Sequence, residues 1–308
     1  VSDALASDAV ARIIVALILF IAGFVTGRKR MANNLSKAIS KLLLWFSIPF
    51  ILLYKVYTVD PTTALKYTML VMVSALGSLI TAAVVVPRLL RSLPAPSIGA
   101  AILAAGIHNS AFLPIPLMLI LYGDAGPAAL YSAILNVIIV IVVPVIVGMY
   151  SEKVVGGSTA RRIVNSLARF PPFYALLAGI LLRVLWPSET LYTLLEVAGR
   201  AAAESTLSSF YLVGTTLALA GLAVDRPVLV VAAWRFLVEP LLTIAASIIL
   251  GLEGIWLAGA LIEACMPPAT MNIVFAISYG LDEKLVARAI GFTMPLSIIA
   301  AILVRLIV

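Results

Sequence analysis

Few residues in this sequence have chemistry to offer, and they stand in apolar surroundings. His108 and Asn109 open the stretch "HNSAFLPIPLM", Arg235 and Glu239 lie four apart in "WRFLVEP", and Glu263 and Asn272 bracket "EACMPPATMN". Ionisable side chains at such positions are costly in a bilayer and therefore face a partner, a cavity or an ion path. Glu263, one turn before Pro267, could carry a proton, or hold Na⁺ together with the backbone at Met266. His108, the sole histidine, has an unperturbed pKa suited to proton coupling, and Glu239 is the third candidate coupling group. Asn109 offers donors and an acceptor, a neutral way to hold a carboxylate. Arg235 either pairs with Glu239 across one helical turn or supplies the counter-charge of an anionic cargo. Ser47, Asn136, Thr270 and Asn272 complete the polar set.

Two of these stretches carry doubled prolines: Pro114 with Pro116, and Pro267 with Pro268. A proline in a helix interior removes an amide donor, clashes with the preceding turn and costs ~3 kcal/mol. In lipid, no water rescues the freed carbonyls, so such a break is tolerated where protein, an ion or a cavity satisfies them.

The elements that must position these residues are membrane spans. Of the 308 residues 63% are hydrophobic and 11% charged, with a mean hydropathy of +1.16. A soluble chain carries roughly 25% charged residues, which makes this an all-α polytopic membrane protein. A span needs about 20 apolar residues. Ten candidates follow: Val10–Val25, Ile39–Tyr57, Thr68–Val86, Ile98–Tyr122, Ala128–Met149, Phe173–Trp186, Thr206–Val224, Val228–Leu250, Ile255–Tyr279 and Ala287–Val308. Between the sixth and seventh, Ser188–Glu204 sets Leu191, Leu194, Leu195 and Ala198 on one face and reads as an interfacial helix.

The formal charge of +7 is distributed as a topology signal rather than a nucleic-acid patch. Alternate loops hold Arg28, Lys29, Arg30, Lys37 and Lys41, then Arg88 and Arg91, then Lys153, Arg161, Arg162 and Arg169, then Arg226, then Lys284 and Arg288. The opposite loops hold Lys55, Lys66, Arg183 and Arg200. The positive-inside rule places both termini outside the cell, and the acidic start "VSDALASDAV" shows no basic leader region. One cysteine, Cys265, excludes an internal disulfide framework.

The two halves echo each other. "LILYGD" ends the fourth segment and "AISYGLD" the ninth, with Tyr122 and Tyr279 standing 157 positions apart; Pro87 and Pro240, and Pro144 and Pro295, recur at similar offsets. The organisation is therefore a first five-helix repeat over 1–150, a cytoplasmic connection over 151–172 and a second repeat over 173–308. Because five is odd, the second copy enters from the opposite side, as in many secondary transporters. The proline breaks then fall at matching places in the two copies, the best sequence pointer to a transporter's binding site. Second half-helices offer amides to an anion, and first half-helices offer carbonyls to a cation.

Other classes fit less well. The spans contain no HExxH, no Gly-x-Ser-x-Gly and no aspartate-rich metal motif, so an enzyme is not expected. No stretch reads as an ion filter, which argues against a channel.

At this point a resemblance enters. "GFVTGRKRMANNLSKAISKLLLWFSIPFILLYKV" resembles the first loop and second helix of the auxin efflux carrier family, with its central proline at Pro49. "NSAFLPIPLMLILYGDAG" is similar to that family's fourth helix and "ACMPPATMNIVFAISYG" to its ninth, although Pro114 replaces a frequent glycine and Met271 a frequent asparagine. The resemblance covers nearly the whole chain. It implies ten helices in a scaffold and a crossover domain, broken and crossing fourth and ninth helices, frequent dimerisation, and elevator-like movement of organic anions such as auxins or dicarboxylates. It also implies a fold similar to sodium-coupled bile-acid symporters and some sodium/proton antiporters, which are the alternative activities. The antiporters are expected to carry paired intramembrane aspartates, whereas every Asp here lies in a loop or terminus. The short connection after Ser151 marks a compact prokaryotic type, placed in the cytoplasmic membrane, with H⁺ or Na⁺ as candidate coupling ion.

Overall fold

The computed structural model describes residues 2–151, 170–221 and 223–308. The expected connection over 151–172 therefore lies largely outside the described residues. In chain order the α-helices are α1 (Ser2–Thr26), α2 (Arg30–Leu42), α3 (Ile48–Thr58), α4 (Pro61–Val71), α5 (Gly77–Leu89), α6 (Ala95–Gly106), α7 (Pro114–Tyr122) and α8 (Gly126–Tyr150). They continue with α9 (Pro171–Leu185), α10 (Glu189–Ser205), α11 (Ser209–Leu219), α12 (Arg226–Ala233), α13 (Glu239–Leu250), α14 (Gly254–Ala264), α15 (Met271–Tyr279) and α16 (Glu283–Ile307). No strand occurs among the described residues, as expected where every backbone group in lipid must be satisfied within its own helix.

Among the described residues six helical runs are long and apolar enough to cross a membrane: Asp8–Thr26, Ala32–Thr58, Pro61–Leu89, Gly126–Tyr150, Arg226–Leu250 and Glu283–Ile307. Three of them pass through a π turn, at Leu43–Ser47, Met72–Leu76 and Trp234–Val238. Their ends follow local chemistry. Asp225 and Asp282 cap α12 and α16 by accepting from Val228 N at 3.1 Å and Leu285 N at 3.0 Å. Gly123 and Gly280 close α7 and α15 with positive φ of 72° and 69°, a conformation that favours glycine.

Element lengths recur between the two halves of the chain. α7 and α15 have nine residues each, α8 and α16 have 25 each, and both pairs are offset by the same 157 positions as the two glycine caps. The π turns at Met72–Leu76 and Trp234–Val238 have five residues each and lie 162 positions apart.

Two expectations need correcting. The segment read as interfacial, Ser188–Glu204, is helical but does not end there: α10 passes through a 3₁₀ turn, Thr206–Ser208, straight into α11. Its polar residues lower the local hydropathy because they are partnered. Glu204 pairs with Arg12 at 2.6 Å, Arg200 with Glu196 at 2.7 Å, and Ser205 bonds Ser47 at 2.6 Å. The second correction concerns the fourth segment, whose break is Ile107–Leu113. Pro114 and Pro116 lie beyond it, in the first turn of α7. A proline is tolerated there because first-turn amides have no intrahelical acceptor to lose. In the ninth segment the prolines sit within the break itself, between α14 and α15.

The chain forms two compact units, each drawing on both halves of the sequence. The first comprises Val1–Ala64, Ser110–Ala133 and Phe170–Leu219. Here α1 meets α11 through small residues: a Cβ on Gly23 would overlap the Tyr211 carbonyl oxygen, and one on Gly214 would overlap that of Phe20. Gly23 and Gly27 on one helix face Gly214 and Ala218 on the other, a small-xxx-small contact that lets two backbones touch. The second unit comprises Leu65–Asn109, Ile134–Arg169 and Ala220–Val308, and it contains the polar cluster described next.

Candidate functional site

In the second unit the two breaks lie against each other. His108 and Pro268 form an antiparallel bridge, in which Asn109 N donates to Pro267 O at 2.8 Å and Ala269 N donates to Ile107 O at 3.0 Å. Both segments are extended at the point where a continuous helix would have satisfied its own backbone, so each supplies what the other lost. Pro267 can take part because its contribution is a carbonyl, the one hydrogen-bonding group a proline retains.

The remaining carbonyls are satisfied from side chains. Arg235, carried on the π turn before α13, is fully buried and directs its guanidinium into the crossing. Nε donates to Met266 O at 3.0 Å, Nη1 to Ala105 O at 3.1 Å, and Nη2 to Ala264 O at 2.7 Å and Glu263 O at 3.5 Å. These oxygens belong to the C-terminal end of α6, the C-terminal end of α14 and the break that follows α14. One rigid five-donor fork thus serves both interrupted helices, a task a lysine's single ammonium could not match. Asn272, in the first turn of α15, completes the set by donating from Nδ2 to Leu103 O at 3.1 Å and Ile107 O at 2.8 Å.

The acidic groups close around the histidine. Arg235 Nη1 bonds Glu239 Oε2. His108 lies between two carboxylates, with Nδ1 3.2 Å from Glu239 Oε1 and Nε2 3.2 Å from Glu263 Oε2. All four side chains have no exposed surface. Among the described residues no donor meets hydrogen-bond geometry with either Glu263 oxygen, so His108 Nε2 is its near neighbour without being a well-aligned partner. Cys265, beside Glu263, is also buried.

The structure therefore brings together His108, Asn109, Arg235, Glu239, Glu263, Met266, Pro267, Pro268 and Asn272. Thr270 stands at the start of α15 and is partly exposed. Ser47 does not join them; it bonds Ser205 in the first unit, where Pro114 and Pro116 also lie. Sequence reasoning named His108, Glu239 and Glu263 individually but missed that one imidazole bridges both acids. It also left Arg235 open between a pairing role and a cargo role, whereas its donors are directed at Glu239 and four carbonyls. A usable signal existed: the sole histidine of the chain stands six residues before Pro114 and an intramembrane acid, Glu263, four residues before Pro267.

The two second half-helices differ in what they offer an anion. Pro114 and Pro116 remove two of the first-turn amides of α7, and Leu117 N bonds back to Leu113 O at 3.2 Å. The first turn of α15 contains no proline and keeps its amides, of which Asn272 N donates to Ala269 O at 2.9 Å and Ile273 N to Thr270 O at 3.1 Å; Met271 at its start is 53% exposed.

Comparison with known proteins gives the chain's family. A family model described as a membrane transport protein matches residues 6–305. An uncharacterized transporter of Methanothermobacter thermautotrophicus is 29% identical over 199 residues, 64% of each chain. An uncharacterized transporter of Methanocaldococcus jannaschii is 26% identical over 214 residues, 66% of each chain. Auxin efflux carrier component 1 of Arabidopsis thaliana is 29% identical over 143 residues, covering 44% of this chain and 22% of the plant protein. The matches to the two archaeal proteins thus span just under two thirds of their length.

Proposed function

Because the chain belongs to the membrane transport protein family, that of the auxin efflux carriers, we propose that it is a secondary transporter of small organic anions working by alternating access about the crossing of its two broken helices. The cargo class is carboxylates, either auxin-like or dicarboxylate. The observation that carries this reading is the antiparallel bridge at His108 and Pro268, where two interrupted helices leave their ends side by side at a cluster of buried charges. Interrupted helices in membrane carriers mark the place where cargo or ions meet backbone groups.

In this proposal the proline-free N-terminal end of α15 and the side chain of Asn109, 7% exposed, receive the carboxylate. Pro267 and Pro268 keep the break open by preventing helix continuation. Arg235 acts as the tether of the crossing rather than as a cargo ligand. Ten spans in two inverted repeats are supported by the six long helices, the paired fragments α6 with α7 and α14 with α15, the short α9, and the continuous run from α10 into α11. Residence in a prokaryotic cytoplasmic membrane, external termini, an elevator-like stroke and a homodimer complete the reading on the strength of the family and of the charge distribution.

The test is uptake of radiolabelled mono- and dicarboxylates into proteoliposomes. Saturable uptake of at least one, reduced tenfold or more by Asn109→Ala in protein that unfolds at the same temperature, is expected, since a lost charge-assisted hydrogen bond is worth ~1.5–3 kcal/mol. Saturable uptake that Asn109→Ala leaves unchanged would remove the crossing from the cargo path.

A further inference from the structure

We propose that the contact between His108 and Glu263 is a proton-binding site, and that H⁺ rather than Na⁺ is the ion exchanged at the crossing. This rests on the reading of the chain as a carrier, and it names the ion which that reading leaves open.

The argument begins with proton counting. Two N···O contacts of 3.2 Å join Glu239, His108 and Glu263 in a row. Each contact requires one proton, because an unprotonated ring nitrogen and a carboxylate oxygen present lone pairs to each other. The row therefore holds two protons. They lie either both on His108 with both acids ionised, or one on Nδ1 of the ring and one on Glu263. Both arrangements give the three groups a charge of −1, which Arg235 at Glu239 cancels. The fully buried cluster is neutral with two protons, and removing one leaves a net negative charge in the membrane interior. Glu239 is committed to Arg235, so the proton that can leave is the one held by either His108 Nε2 or Glu263 where the two lie 3.2 Å apart. The ionisable groups facing this position are Arg235 and Glu239 from the run Arg226–Leu250, Glu263 from α14, the Cys265 thiol just after it, and His108 itself from the break after α6.

The second line concerns sodium. A hard cation at a broken helix is held by the carbonyls the break releases, together with a carboxylate. Here seven carbonyls at the two breaks already have donors. Ala105, Glu263, Ala264 and Met266 take the Arg235 guanidinium, Leu103 and Ile107 take Asn272, and Pro267 takes the Asn109 amide. Arg235 is a covalently attached cation in the place where an exchangeable one would sit. Glu263 offers its own two oxygens but lacks a surrounding oxygen cage, and a proton needs none.

His108 is the sole histidine in the sequence, so histidine-selective ¹⁵N labelling gives one reporter of this site. The full chain, purified without a histidine tag and placed in lipid nanodiscs, is titrated by NMR across about pH 5 to 9, in NaCl and in choline chloride. One ionisation step of the imidazole resonances is expected, identical in the two salts and lost in Glu263→Gln. The absence of a step in the wild type would overturn the proposal, as would a step that Na⁺ shifts or one that persists unchanged in a folded Glu263→Gln protein. If that variant does not fold, the wild-type titration in the two salts still decides. The measurement needs no cargo, so a failure of the carboxylate reading registers in the uptake assay and not here.

Discussion

Arg235 explains how two broken helices can persist inside a membrane. Its donors meet carbonyls at the ends of α6 and α14 as well as Glu239, so its removal strands several buried acceptors and one buried acid at once. Arg235→Gln is expected to cost about 3–5 kcal/mol and to lower the unfolding temperature in detergent markedly. Arg235→Lys should recover little of that loss, because the ammonium lacks the planar fork. Unfolding of either variant at the wild-type temperature would show that the crossing does not depend on this side chain. Asn272→Ala removes two hydrogen bonds to buried carbonyls and is expected to cost about 1–3 kcal/mol, read in the same assay. None of these partnerships is legible along the chain: Arg235 lies 130 positions from Ala105, and Asn272 lies 169 from Leu103. The residue types and their cost in lipid are visible in a sequence, but the fold decides which costly group meets which.

At the scale of elements, hydropathy located the apolar segments well because each span must bury its backbone in its own helix. It misread places where polar residues are partnered. Glu196, Arg200 and Glu204 dilute the apolar face of α10 and give it its interfacial character in sequence, and each of them is paired within the first unit. The π turns were also invisible, since no residue type announces them, yet one of them carries Arg235. The contact between α1 and α11 was readable in principle from the glycine spacing, though it went unread. Gly214→Val would drive a side chain into the backbone at Phe20 and is expected to destabilise by about 1–3 kcal/mol or more, measured by thermal unfolding. A neutral result would mean that these two helices do not touch along this face.

At the scale of the whole molecule, the chain belongs to the membrane transport protein family and forms two compact units, each assembled from both halves of the sequence. The account places the turn at Pro187 outside the cell and the turn at Arg91 inside, and both residues are exposed. In a Cys265→Ser background, Pro187→Cys should react with a membrane-impermeant maleimide in intact cells and Arg91→Cys should not. The reverse pattern would invert the topology. The central claim, that cargo binds at the crossing, is tested most directly with Cys265, the sole cysteine, which adjoins Glu263 and is buried. Its rate of alkylation by a membrane-permeant maleimide is followed in proteoliposomes against rising concentrations of whichever carboxylate the panel shows to be taken up. The account predicts a saturable change in that rate with the concentration dependence of uptake. Transport at full rate with alkylation of Cys265 unaltered at every concentration would contradict it and place the cargo elsewhere in the molecule.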